Sequence, residues 1–187
     1  MPEVYNNESP LFWSIDCLKD AYRRGELSPV EVLEEAILRA EEYNPHLNAY
    51  LQRLDEQARL QAEKAEKIFL YHSKEIPPLC GIPISIKDTF ELKGSITTYG
   101  SAFFRKNLTK EDHDLVKRLR SSGAIFTGKT NTPEFAQSAT TENRLGDDAK
   151  NPWDTSLTPG GSSGGAAATV ATGLVAAAIG ADGGGSI

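Results

Sequence analysis

The sequence predicts an α/β fold: an N-terminal helical segment over residues 1–70, then strands alternating with helices over residues 71–187. Three observations carry this. Apolar residues recur at helical spacing through the first part. The character changes at Pro77-Pro78, after which short apolar runs with strand patterning appear. The last part joins a glycine- and serine-rich loop to an alanine-rich helical pattern and then another apolar run. Alternation of this kind indicates α/β architecture. With 187 residues the chain is long enough for one domain with its own core.

Ser28, Pro29 and Glu31 form a capping-box pattern that starts a helix. Val30, Leu33, Ile37 and Leu38 give its apolar face, with Glu34, Glu35 and Arg39 outward, and Asn44-Pro45 is expected to end it. A second helix is predicted over residues 51–69. Its charged face is Arg53, Glu56, Arg59, Glu63, Lys64 and Lys67, and its buried side is Leu54, Ala58, Ala62, Ala65 and Ile68 or Phe69. Residues 81–86 read as an apolar strand followed by Lys87-Asp88. Residues 115–119 read as a short helix ending at Gly123, and 124–128 as a buried strand. Residues 143–161 form a long polar connection, of the kind that is often functional in a compact domain. Residues 164–172 read as a helix and 174–179 as a strand.

Composition narrows the function classes. The chain is 39% apolar and 25% charged, with a formal net charge of −6. That balance argues against a nucleic-acid or anionic-membrane partner. The start of the chain is polar and acidic, unlike a secretory signal. The weakly polar stretch over residues 164–181 falls short of the roughly 20 strongly apolar residues of a membrane span. A cytoplasmic location is expected, with Cys17 and Cys80 as reduced, buried thiols.

Few residues offer chemistry. Ser186 follows Gly183, Gly184 and Gly185. Consecutive glycines let backbone N–H groups turn toward one point, which suits a nucleophile whose oxyanion is met by the N–H groups of Gly183, Gly184, Gly185 and Ser186. The other reading is a glycine-rich turn whose serine bonds its own backbone. Ser162 and Ser163 lie between two Gly-Gly pairs, but no lysine follows as a phosphate-binding loop requires. Lys87 ends a buried strand pattern, where desolvation lowers its pKa toward that of a general base. The local sequence favours the alternative, a strand-end lysine paired with Asp88. His46 is expected in a turn, His72 in a polar connection and His113 at a solvated helix start, so none is favoured as a base. No His/Asp/Glu group has metal-ligand spacing.

Taken together, these segments resemble the amidase signature family of serine hydrolases. The residues that carry the resemblance are Gly160 to Gly165 with the alanine-rich continuation, Gly180-Ala181-Asp182-Gly183-Gly184-Gly185-Ser186-Ile187, Gly81 to Asp88, Gly128 to Phe135, and Asn151-Pro152-Trp153-Asp154. It runs from about Ser28 to the last residue. It implies the first part of a mixed-sheet core covered by helices. It also implies a Ser–cis-Ser–Lys triad: Ser186 as nucleophile, Ser162 as relay behind a cis Gly161–Ser162 bond, and Lys87 as base. The reaction implied is hydrolysis of a small-molecule carboxylic amide through an acyl-enzyme, with no metal or organic cofactor. A homo-oligomer stays open. One alternative is the glutamine-hydrolysing subunit of a tRNA-dependent amidotransferase, although Thr97 to Ser101 and Thr140 to Asn143 look more like stand-alone amidases. Family members continue far beyond the nucleophile. The 187 residues are therefore expected to be the N-terminal part of an amidase domain, inactive alone, with substrate-choosing residues beyond Ile187. A truncated, non-catalytic fragment is the remaining alternative.

Overall fold

A computed structural model describes residues 9–71 and 75–187, so His72 lies outside the described residues. A first helix, α1, covers Ile15–Arg24. Ser14 caps it by accepting from the Cys17 N–H at 3.2 Å, and Gly25, at φ 67°, ends it. Cys80 is buried as expected but Cys17 is exposed on α1, which corrects that expectation. Helix α2 covers Pro29–Leu47 and begins with the predicted capping box. Ser28 Oγ accepts from the Glu31 N–H at 3.1 Å, and Glu31 Oε2 accepts from the Ser28 N–H at 2.7 Å.

Helix α2 runs through Asn44-Pro45 instead of ending there, so His46 is helical. Pro45 sits in the last turn and has no N–H to donate to the Glu41 carbonyl, so the helix continues past it with one bond fewer. The stop is supplied by Asn48 in the left-handed conformation at φ 49°. Asn44 then assists the exit, its Oδ1 accepting from the Tyr50 N–H at 2.9 Å. Two face assignments on α2, the inward Leu38 and the outward Arg39, also change. Leu38 is exposed, and Arg39 is partly buried, donating to the carbonyls of Gly173 at 2.9 Å and Thr172 at 2.8 Å.

The predicted second helix divides. Tyr50–Arg53 is a strand, β1, and the helix α3 covers Asp55–Leu70. Pairing with a neighbouring strand overrides the helical pattern of these four residues, as tertiary context commonly does. The apolar side of α3 is as expected: Leu54, Ala58, Ala62, Ala65 and Phe69 are all buried. Leu33 and Ile37 of α2 meet Ala58 and Ala62 of α3 in one cluster with Ile125.

The remaining strands and α-helices among the described residues are β2 (Pro83–Lys87), α4 (Asp114–Ser121), β3 (Ile125–Thr130), α5 (Gly164–Ala171) and β4 (Ala177–Ile179). His113 caps α4, its Nδ1 accepting from the Leu115 N–H at 3.1 Å. The sheet is mixed, in the order β1-β3-β2-β4. Strand β1 runs antiparallel to β3, while β2 runs parallel to both β3 and β4. All residues of β2 and β3 are buried, which is how strands covered on both faces read. The main core joins Leu18, Tyr22, Val32, Ile84, Ile86 and Phe126. The fold is thus α/β, as predicted.

Candidate active site

The site forms where the central strand β2 ends against the start of α5. Side chains alternate along a strand, so Ser85 and Lys87 share a face of the sheet. That face carries α5: the Ser85 and Thr169 hydroxyls lie 2.9 Å apart. The helix can come this close because position 165 lacks a side chain. A Cβ on Gly165 would lie 2.4 Å from the Asn131 backbone nitrogen and 2.6 Å from the Ala49 carbonyl oxygen. The loop preceding α5 therefore delivers Ser162 and Ser163 directly to the end of the Lys87 side chain.

Lys87 is fully buried. Its Nζ donates to Ser162 Oγ at 2.6 Å, to Ser163 Oγ at 2.9 Å and to the Ala181 carbonyl at 3.0 Å. Burial pushes the Lys87 pKa down to about 8, with Asp182 acting in the opposite direction. Lys87 does not take Asp88 as its partner, contrary to the reading favoured by the local sequence. Asp88 bonds Lys129 instead, at 2.5 Å, with both side chains buried. Thr98 secures the other carboxylate oxygen through its N–H, at 2.9 Å, and its hydroxyl.

Ser162 is buried, its carbonyl accepting from the Thr132 hydroxyl at 2.9 Å, and its peptide bond with Gly161 is cis. Ser163 is a member of this cluster that sequence reasoning passed over. It bonds Lys87 and also both backbone groups of Ala181, accepting from the N–H at 3.2 Å and donating to the carbonyl at 3.1 Å. Its own N–H donates to the Ser186 carbonyl at 3.1 Å. The only sequence signal was its place beside Ser162, and nothing in the residue type separates the two.

Lys87, Ser162 and Ser186 border one open cavity of about 810 Å³, together with Asp182, Tyr99 and Phe135. The glycine run bends around Asp182. Its Oδ1 accepts from the Gly184 N–H at 2.8 Å and from the Gly185 N–H. The N–H of Ser186, followed by those of Gly185 and Gly184, holds the Asp182 carboxyl below the usual carboxylate range. These backbone groups thus already converge on an anionic oxygen, as successive N–H groups in a nest do. Among the described residues no group of three or more His, Cys, Asp or Glu side chains is placed to hold a metal ion. No helix among them is long and apolar enough to cross a membrane.

The fold thus joins a buried lysine to a serine by a hydrogen bond, beside a second serine in a glycine-rich turn. The Amidase family model matches residues 31–187, and the chain belongs to that family. Over 174 residues it is 40% identical to a glutamyl-tRNA(Gln) amidotransferase subunit from Sulfurihydrogenibium sp., covering 93% of this chain and 36% of that protein. Over 163 residues it is 44% identical to the "Putative amidase AmiB2" of Mycobacterium bovis, covering 87% of this chain and 35% of that one. Among solved structures it matches a "Fatty acid amide hydrolase" with a TM-score of 0.90 and 32% identity, over 100% of this chain and 32% of that chain. The chain spans about a third of the length of the curated relatives it matches.

Proposed function

We propose that the protein hydrolyses a carboxylic amide by serine acyl transfer. The observation that carries this is the contact of the buried Lys87 Nζ with Ser162 Oγ at 2.6 Å, beside the cavity that Ser186 borders. In the proposed reaction neutral Lys87 takes the Ser162 hydroxyl proton as Ser162 takes that of Ser186. Ser186 Oγ attacks the amide carbon. The backbone N–H groups of Gly183, Gly184, Gly185 and Ser186 then receive the oxyanion. For three of these groups that requires Asp182 to yield its hydrogen bonds, because Gly184, Gly185 and Ser186 are engaged by it. The C–N bond breaks, and the proton held by Lys87 passes back to the departing nitrogen as ammonia or amine. Water then attacks the ester on Ser186 by the same proton route, releasing carboxylate and restoring the serine. A pKa near 8 suits Lys87 to this task, since a base is most effective when its pKa lies near the working pH.

The test is ammonia release from simple amides by the natural full-length protein and its Ser186→Ala variant. Hydrolysis that disappears with Ser186 supports the reading, and hydrolysis that survives the substitution contradicts it. A second reading is the glutamine-hydrolysing subunit of an amidotransferase, favoured by the 40% identity to a protein of that name. Its signature would be co-purification with partner proteins and a requirement for them in glutamine hydrolysis.

A further inference from the structure

Part of the cavity lining is aromatic and held in an unusual backbone conformation. Among the described residues, four that are not glycine have a left-handed φ: Asn48, Tyr99, Phe135 and Ala136. The last three all border the cavity. Bulky residues avoid this region, and where they are held in it the position is commonly functional. Two segments hold them there. The Phe135 N–H donates to the Tyr99 carbonyl at 2.7 Å. Gly100, at φ 71°, permits the close approach, since a Cβ there would lie 2.4 Å from the Pro133 carbonyl oxygen. Phe104 braces the pair from behind, edge-on to Tyr99 at 5.4 Å and to Phe135 at 6.2 Å between ring centroids.

The tyrosine hydroxyl of this wall is already engaged. The Tyr99 hydroxyl donates to Glu91 Oε1 at 2.6 Å, and burial with that contact raises its pKa to about 12. It stays neutral at any ordinary pH. Of the residues lining the cavity only Lys87 and Asp182 are charged. Lys87 has three internal partners, and Asp182 is held by backbone N–H groups. This part of the cavity therefore offers a charged substrate group no counter-charge. It offers an apolar one the side chain of Phe135, a residue that is 50% exposed. Aromatic rings associate best edge-to-face or offset, as this cluster already does.

We propose that Tyr99 and Phe135 form an apolar shelf that selects amides bearing an uncharged aromatic group next to the scissile bond. This rests on the amide-hydrolase reading above and names its substrate class. It also places a specificity determinant within the present sequence.

The experiment measures ammonia release from benzamide, acetamide and L-glutamine by the natural full-length protein, by Phe135→Ala and by Phe135→Leu. Benzamide should be preferred to acetamide by about tenfold or more in kcat/KM. Phe135→Ala should raise the KM for benzamide about tenfold with little change in kcat, and should shrink the preference for benzamide over acetamide. Phe135→Leu, which keeps an apolar side chain, should recover part of the loss. Equal use of benzamide and acetamide, a preference for glutamine, or unchanged benzamide kinetics in Phe135→Ala would overturn the shelf while leaving Ser186-dependent hydrolysis intact. Absence of any Ser186-dependent hydrolysis would overturn both readings.

Discussion

Lys87 and Ser162 are 75 residues apart in sequence, and their side chains meet at 2.6 Å with both residues buried. The end of the central strand and the loop entering α5 bring them together, and the contact is made in a site whose desolvation favours a neutral amine. If this contact is the proton route, Lys87→Ala and Ser186→Ala should each lower turnover by at least about 10³-fold, as removal of a member of a catalytic unit does. Ser162→Ala should be severe but leave residual activity. Steady-state ammonia release checks all three, and a fully active Lys87→Ala enzyme would remove the lysine from the mechanism.

The pH dependence has a definite sign. In the proposed reaction Lys87 acts in its neutral form, so the rate should rise as pH increases through about 8. Asp182 favours the ammonium, so Asp182→Asn should lower the Lys87 pKa and move the rising limb to lower pH. A limb that stays in place or moves upward in a kcat/KM profile would separate Asp182 from Lys87.

The same shift predicts a stability effect. The Lys87 pKa is about 8 when folded against 10.5 for the free group. Below the lower value both states are protonated, and the folded state bears the full cost of the buried charge. Between the two values the unfolded chain binds more protons, so stability should climb with pH across this window. Lys87→Met should flatten the climb and raise the melting temperature near pH 7. Parallel melting curves for the two proteins from pH 7 to about 10 would contradict this.

Asp88 and Lys129 form a buried pair at 2.5 Å. Removing one partner strands the other charge, so Asp88→Ala or Lys129→Met alone should cost about 3–5 kcal/mol. An apolar replacement of both should recover much of that loss. Denaturant titration of the two single variants and the double variant measures the difference.

Glycine requirements in the signature region differ by position. Gly165→Ala would drive a methyl group against the backbone of Asn131 and Ala49. It should lose about 1–3 kcal/mol by overpacking. At Gly183 nothing lies within 4 Å of an added Cβ, so Gly183→Ala should leave stability nearly unchanged. Thermal melts of both variants test the contrast.

The elements with strong periodicity were legible in the sequence. Leu33, Ile37, Ala58 and Ala62 recur at helical spacing, and they are buried together between α2 and α3. Residues 50–53 were not legible. They lie between two helices, and what makes them a strand is the pairing of Tyr50 with Thr130 and Gln52 with Lys129, far along the chain. The same distance hid the Asp88 partner, Lys129, 41 residues on. Within the site, Lys87, Ser162 and Ser186 were named by motif. Ser163 was not, because its contacts depend on where the loop places each of two identical side chains. The engagement of the glycine N–H groups by Asp182 was likewise hidden, since spacing shows which groups can converge but not on what.

The proposed acyl transfer passes through Ser186 under the control of Lys87. Rapid quenching of the natural full-length protein during turnover of a slowly deacylated amide, followed by peptide mass mapping, tests it most directly. The expected result is the mass of the acyl group on Ser186 and none on the same peptide of the Lys87→Ala variant. Acylation at a different residue, or equal acylation of Ser186 without Lys87, would contradict it.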